Sequence, residues 1–454
     1  MVVWSGLPFN SDKTGTLMQT PSAKVWDIAY VRQQFPALND PESGKLAFFE
    51  NAGGTYVPHQ VVEHLNHFMT HTKVQPYGPY RASQQGTQAI EQATVKMAEM
   101  VNADEDEVVI GHCTTMNLYL LSMALRKQFA AGDEIIVTEQ DHESNISPWL
   151  RLQEFGVKVR FWPIDPHSGK LALDDLDTLL GERTRLVCMT HSSNIVGDVN
   201  DVKAVADKVH AVGGWLLVDG VSYAPHHAID VKALGVDVYV LSLYKLFGPH
   251  LGLMYVRRDL HGQLHNQSLE QLPKLYAAYT NPGAPNNLRI ALNPGLVNHE
   301  EVACLLGLVA YFDDLHQHHG FADEPSFQRR VSRVMAIAGE HETALARQWQ
   351  IWLKTQPALS QLGGDNTVLK QRSPTWALQC GSTSPRTLAI ALGEREIAVQ
   401  SGSFYAWRCL EKLGVDPHSG VLRVSLAHFN SSEELMRLCI TLDGLLESAG
   451  GKHV

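Results

Sequence analysis

Two short apolar runs in this chain each end on one reactive group. Trp215-Leu-Leu-Val leads to Asp219, and Asp237-Val-Tyr-Val-Leu-Ser-Leu-Tyr leads to Lys245. A lysine amine can form an imine with an aldehyde, and a carboxylate can keep a pyridine nitrogen protonated so that the ring draws electrons. If both runs are strands of one parallel sheet, their carboxyl ends open into the same crevice, where ligands of open α/β sheets bind. A buried Asp–Lys ion pair is the alternative, and it is costly unless something requires it. The two groups match what pyridoxal 5′-phosphate (PLP) needs, a Schiff-base lysine at Lys245 and a pyridinium partner at Asp219.

Other segments add to this pair. Gly111-His-Cys-Thr114-Thr115-Met-Asn follows an apolar run ending at Ile110 and opens a helical pattern. Two hydroxyls and several backbone N–H groups would then meet at a positive helix terminus, a cradle for phosphate, and an N-cap by Thr114 or Thr115 is compatible with it. Ser242 and Tyr244, beside the lysine, can donate to the same phosphate. His142, in Asp141-His-Glu-Ser-Asn145, is placed to stack on a planar ring or to move protons. Asn194, in Thr190-His-Ser-Ser-Asn194, can bond to the cofactor's phenolic oxygen. Polar groups at four strand ends along one sheet edge belong to a site rather than to a core.

The elements that must position these residues follow from hydrophobic patterning. Glu107 to Ile110, Glu134 to Thr138, Val157 to Trp162, Arg185 to Thr190, Trp215 to Asp219, Val236 to Ser242 and Gly252 to Val256 read as seven strands. Most are continuously apolar, as expected when helices cover both faces of a mostly parallel sheet. Between them, Met116 to Phe129 and Val199 to Ala211 carry apolar residues at helical spacing. After Phe312 a long helical pattern, Pro325 to Leu353, precedes alternating strands and helices. The expected architecture is α/β, with a large domain over 61–315 built on a mostly parallel seven-stranded sheet, and a smaller α+β domain over 316–454. Residues 1–60 are expected to pack with the small domain, Leu46 to Phe49 being a strand that leads into an Asn51-Ala-Gly-Gly loop at the site.

Composition narrows the function classes. The 454 residues are 44% hydrophobic and 19% charged, with a net charge of −11, an ordinary globular profile. No Lys/Arg cluster offers a footprint for nucleic acid. The opening stretch Met1 to Lys24 has no cationic head followed by an apolar core, and no run of about 18 apolar residues occurs, so neither export nor membrane insertion is expected. Six dispersed cysteines without a C-x-x-C pair suit a reducing cytoplasm. The pairs His226-His227 and His318-His319 sit in polar, turn-like stretches and read as surface residues, with no metal expected.

Assembled in order, these motifs resemble the class V aminotransferase family of fold-type I PLP enzymes, and within it the cysteine desulfurase and selenocysteine lyase branch. The likeness runs from about Phe49 to Leu446. It rests on Asn51-Ala-Gly-Gly, Thr114-Thr115, Asp141-His142 with Asn145-Ile-Ser-Pro-Trp149, His191-Ser-Ser-Asn194, Val218-Asp219-Gly, Ser242-Leu-Tyr-Lys245-Leu-Phe-Gly-Pro and Leu422-Arg423-Val-Ser-Leu-Ala-His-Phe-Asn430. The resemblance implies a Schiff base on Lys245, with His142 stacked on the ring and Asp219 at its nitrogen. It also implies Asn194 near the phenolic oxygen, and Thr114, Thr115, Ser242 and Tyr244 around the phosphate. Arg423 would hold the substrate α-carboxylate, with Asn51 beside it, and a homodimer acting on a small amino acid is expected.

The sequence departs from the desulfurases at several points. Ser222 stands where they place a glutamine near the cofactor, Tyr244 where they place a phosphate-binding histidine, and Leu296 where a threonine reaches the partner's phosphate. Tyr405 stands near the position of their mobile persulfide-forming cysteine. The nearest thiol, Cys409, falls on the apolar side of a helix start, which suits a buried structural cysteine. Persulfide-based desulfuration is therefore expected to be weak or absent, with lyase, epimerase, aminotransferase or selenocysteine-lyase-like chemistry in its place, and whether a sulfur-acceptor protein exists stays open. A non-catalytic scaffold would have no reason to keep Lys245, Asp219, Asn194 and Arg423 together.

Overall fold

The computed structural model describes residues 24–272 and 288–450. The opening stretch, read as free of an export signal, lies outside the described residues except for Lys24.

Seven strands form one sheet: β2 (Val108–Gly111), β3 (Glu134–Thr138), β4 (Lys158–Trp162), β5 (Thr184–Thr190), β6 (Trp215–Asp219), β7 (Val238–Ser242) and β8 (Gly252–Val256), in the order β2-β8-β7-β6-β5-β3-β4. β8 runs antiparallel to both neighbours, while the other ladders are parallel. The expected strands are all present, with ends shifted by at most two residues. Continuous apolar character follows from burial on both faces. Successive side chains alternate between two cores: Leu216 and Val218 of β6 and Tyr239 and Leu241 of β7 enter one, whereas Leu217, Val238 and Val240 enter the other.

Alternation along the strands leaves one class of position without a core to enter, the residues just past the carboxyl ends. β2, β3, β5, β6 and β7 share a direction, so these positions lie along one edge.

A second, four-stranded antiparallel sheet, β12-β13-β10-β9, is formed by β9 (Ser360–Gln361), β10 (Thr375–Gln379), β12 (Gln400–Gly402) and β13 (Val421–Ser425). β1 (Ala47–Phe48) pairs in parallel with β11 (Ile397–Ala398), and Ser425 donates its backbone N–H to Phe49. The chain thus passes from this smaller body directly to the Asn51 loop. The helix Phe327–Leu353 joins two cores: Val331, Val334 and Met335 pack in the core that holds Leu216 and Val218 of β6, and Leu345, Trp349 and Leu353 pack in the core that holds Trp376 of β10 and Leu422 of β13.

The surface reading is corrected for His226, which is buried, while His318 is exposed as expected and His227 and His319 are half-buried. His226 is buried and its Nδ1 lies 3.0 Å from Glu342 of the long helix, itself 1% exposed. His227 stacks on Tyr223 at 4.1 Å, His318 on Tyr30 at 3.5 Å and His319 on Trp26 at 4.9 Å. Glu342, Tyr30 and Trp26 come from distant segments, so local polarity gives no sign of them, whereas Tyr223 is only four residues from His227.

Candidate active site

Asp219 closes β6 and Lys245 lies three residues beyond β7. The turn after Asp219 needs a glycine, because a Cβ on Gly220 would sit 2.1 Å from the Tyr239 hydroxyl. Asp219 Oδ1 accepts the Val221 N–H at 2.8 Å, and its other oxygen has no protein partner among the described residues. Burial raises its pKa to about 6, against the Val221 bond and the Lys245 charge, which pull it down. The Lys245 pKa falls to about 8, chiefly through burial and then through the Arg423 charge, with Asp219 and Glu50 opposing. Among the described residues the Lys245 amine has no hydrogen bond or ion pair, and an amine lowered in this way is a better nucleophile near neutrality.

One cavity, about 600 Å³ with its mouth, is lined by both groups and by seven more of the residues singled out above: Thr114, Thr115, His142, Asn194, Ser222, Ser242 and Tyr244. At its phosphate end the helix Thr114–Leu125 begins. Its cap is Cys113, whose Sγ accepts the Met116 N–H at 3.4 Å, rather than Thr114 or Thr115. Cys113 holds the extended backbone a cap requires, which leaves both threonine hydroxyls to the cavity. Thr114 Oγ1 lies 2.8 Å from Ser242 Oγ, and the Ser242 hydroxyl meets the Tyr244 phenol.

His142 caps a short turn after β3. Its Nδ1 accepts the Ser144 N–H at 3.1 Å and lies 2.8 Å from the Ser144 hydroxyl. That leaves the proton on Nε2. Burial, then the Lys245 and Arg423 charges, hold its pKa down near 3, so the ring is neutral. Beneath it Asp141 is bonded by Thr138 at 2.6 Å and Asn145 at 3.1 Å, and burial together with the Asp219 charge pushes its pKa up to about 8.

Three residues are placed differently from expectation. Asn194 gives its amide to the Phe404 carbonyl at 2.9 Å. Arg423, 3% exposed, lies behind the Phe404 ring, 3.8 Å from its centroid, and is not on the cavity wall. Its Nε is buried without a partner, and its nearest acid, Glu50, is 3.9 Å away. Asn51 also stays off the wall. Its amide bonds the Ser425 carbonyl at 2.9 Å and Asn430 at 3.1 Å, tying the loop to β13. The asparagine amide is spent on the Ser425 carbonyl and the Asn430 side chain, acceptors that only the fold brings near.

Phe404 and Tyr405 both adopt left-handed backbone, φ 52° and 55°, a conformation that costs a non-glycine residue on the order of 1–3 kcal/mol. The Asn194 bond and a 2.7 Å bond from the Glu143 N–H to the Tyr405 carbonyl hold this turn. Tyr405 is 72% exposed at the mouth, its ring 5.2 Å from that of His142. Cys409 is fully buried in the helix Trp407–Lys412, and burial pushes its thiol up to about 12.

These residues fit PLP on their unsatisfied groups: a free buried amine, a carboxylate oxygen without a partner, paired hydroxyls at a helix N-terminus and a buried guanidinium edge. Sequence reading missed Glu50, Ser144, Phe404 and His250. Glu50 adjoins the Asn51 motif and Ser144 lies inside the His142 motif, whereas nothing local marks Phe404.

The model of the class V aminotransferases matches residues 47–275 and 332–438. The aminotransferase-like protein FGM3 of Gibberella zeae is 33% identical over 94% of this chain and 100% of its own length. The cysteine desulfurase-like protein ustD of Aspergillus flavus is 30% identical over 97% of this chain and 95% of its own. Among solved structures, the cysteine desulfurase CsdA of Escherichia coli superposes with a TM-score of 0.77 at 25% identity, covering 93% of this chain and 99% of that one. With the fold, the cavity and these likenesses in agreement, the chain belongs to the class V aminotransferase family, in its cysteine desulfurase-like part, and is a PLP-dependent enzyme.

Proposed function

We propose that the enzyme acts on the α-amino group of a small amino acid as a transferase or lyase, with PLP attached to Lys245. The observation that carries this reading is the cavity itself. Lys245 and Asp219 both line it, yet neither forms an ion pair with the other. Bound PLP would supply an electron sink for a bond broken at the substrate Cα. Asp219 would keep the ring nitrogen protonated, and neutral His142, its Nδ1 already engaged by Ser144, would cover the ring. Arg423 takes the substrate carboxylate in a bidentate fork through the guanidinium edge whose Nε has no partner. Phe404 must shift for that approach, since its ring covers the guanidinium face. Lys245 Nζ would hold and move the Cα proton, a task suited to an amine whose pKa lies near 8.

Sulfur transfer through a persulfide is not part of the proposal. It needs an accessible thiolate; Tyr405 offers none, Cys409 is buried with a raised pKa, and Cys113, the one thiol on the cavity wall among the described residues, is engaged as a helix cap by the Met116 N–H. Cα–X elimination, epimerisation or transamination remain within reach of the same residues. Exposed apolar side chains on or beside the large-domain helices, including Met69, Tyr80, Met116 and Met123, support a homodimer. Six free cysteines support a cytoplasmic location, and no helix among the described residues is long and apolar enough to cross a membrane. The test is a product screen with cysteine, selenocysteine, cysteine sulfinate and other small amino acids, read for sulfide, selenide, alanine, pyruvate and ammonia. Turnover of a small amino acid without a protein persulfide is expected, and no turnover of any of them contradicts the proposal.

A further inference from the structure

The phosphate end of the cavity is rich in hydroxyls and poor in positive charge. Thr114, Thr115, Ser242 and Tyr244 can each donate a hydrogen bond, and the helix Thr114–Leu125 contributes its N-terminus. A phosphate ester close to a dianion is held best by charge-assisted bonds. Among the described residues on the wall, Lys245 is the only lysine or arginine, and it is reserved for the covalent link. Arg423 stands behind Phe404 and off the wall. Two imidazoles remain. His142 is neutral, and its Nδ1 is occupied by Ser144.

The other is His250, in the segment between Lys245 and β8. It lines the same cavity as Cys113, Thr114, Thr115, Ser242 and Tyr244. Its ring stacks on Tyr244 at 4.4 Å between centroids and 18° between planes, which fixes the ring plane at the phosphate side of the cavity. Neither ring nitrogen has a hydrogen-bond partner among the described residues, so both remain available to an acceptor. Tyr244 is itself fixed from behind: its carbonyl accepts from the Thr55 N–H at 3.2 Å, and a Cβ on Gly54 would come within 3.3 Å of its ring.

We infer that His250 is a phosphate-binding residue of the cofactor site, supplying, across the face of Tyr244, an imidazole N–H that this chain's Ser242-Leu-Tyr-Lys245 segment does not provide. The inference rests on the proposed attachment of PLP at Lys245, which orients the phosphate toward the Thr114 helix. It predicts that His250 senses the phosphate and not the pyridine ring. The experiment titrates apo-enzyme with PLP and, separately, with pyridoxal, which lacks the phosphate. It compares wild type with His250→Gln, with His250→Phe, which keeps the stack on Tyr244, and with His250→Lys, which offers an ammonium N–H donor in place of the imidazole. The 31P resonance of bound PLP is recorded for each, and borohydride reduction locates the attached cofactor.

Loss of one charge-assisted bond should weaken PLP binding roughly tenfold in the Gln and Phe variants. Pyridoxal binding should be unchanged, the 31P resonance should move, and the Lys variant should recover most of the loss. Equal PLP binding in all four proteins would overturn the inference and reduce His250 to a surface histidine packed on Tyr244. Parallel losses for PLP and pyridoxal would also overturn it, since they would mark an effect on cavity shape. If wild type fails to attach PLP at Lys245, the proposed function falls first and the inference falls with it. Normal wild-type attachment with an indifferent His250 sinks the inference alone.

Discussion

Two buried acid–base clusters in this protein are built from similar groups and finished in opposite ways. Between the loop after β6 and the helix Phe327–Leu353, His226 Nδ1 lies 3.0 and 3.1 Å from the two oxygens of Glu342. At the strand ends, Asp219 and Lys245 face one cavity without touching, each held against its preferred charge state by burial. The first cluster is closed: each partner answers the other, and the pair links the loop to the long helix. The second is open, with charges kept apart and partners missing. Burying uncompensated groups is unfavourable, so the open cluster is the one shaped for a ligand and the closed one is shaped for the fold.

The largest effect expected from this contrast is at Lys245. Lys245→Ala should lower turnover by at least about a thousandfold while the protein still folds, as read by steady-state rates and circular dichroism. A folded variant that keeps substantial turnover would erase the distinction between the clusters.

Asp219→Asn should retain PLP yet lose on the order of a hundredfold in rate, because a neutral amide cannot hold the ring nitrogen protonated. The same change should stabilise the apo-protein. The folded Asp219 pKa of about 6 lies above its model value of 3.8, so the native state binds the proton more tightly between those pH values. Stability then falls as pH rises from about 4 to 6. The cost, at most on the order of 3 kcal/mol, persists above that window and is removed by the amide. Lys245 works in the other direction. Its folded pKa of about 8 lies below 10.5, so the unfolded chain binds the proton more tightly between those values and stability rises with pH across them. Denaturant titrations of apo-protein from pH 4 to 10, read as differences from wild type because Asp141 also titrates in this range, should show the Asp219→Asn advantage growing between pH 4 and 6 and a Lys245→Met advantage shrinking as pH rises above 8.

Breaking the closed cluster should do the reverse. Glu342→Ala should cost about 3 kcal/mol of stability, because His226 stays buried without its partner, and leave kcat per folded molecule nearly unchanged. A large fall in kcat with stability intact would assign Glu342 to the site instead. The smallest effect is expected at Cys409. Cys409→Ala should leave activity within about twofold, with a stability loss of roughly 1 kcal/mol for a small buried side chain. Robust alanine formation from cysteine with a persulfide mapped to Cys409 would return the enzyme to the thiol mechanism.

The sheet was legible because its signal is local: continuous β-branched runs fix buried strands, and the polar residue that breaks each run marks the edge where a ligand sits. Asp219, Lys245, His142 and Asn194 are singled out in that way, and all four line one cavity. What escaped is long-range. Asn194 bonds Phe404 across 210 residues and Glu342 reaches His226 across 116, separations over which no periodicity carries information. The left-handed turn at Phe404-Tyr405 was hidden for another reason. Sequence signals for that conformation are glycine and asparagine, and here two aromatics are forced into it by tertiary bonds. Arg423 was placed on the right strand, but the ring that covers it comes from the same turn.

The account depends most directly on where the cofactor is attached. Purified enzyme saturated with PLP, reduced with borohydride, digested and mapped by mass spectrometry should carry the phosphopyridoxyl group on Lys245, and Asp219→Asn should carry it there as well. A label on any other lysine, or none on an enzyme that turns over, would contradict the assignment of the open cluster as the catalytic centre.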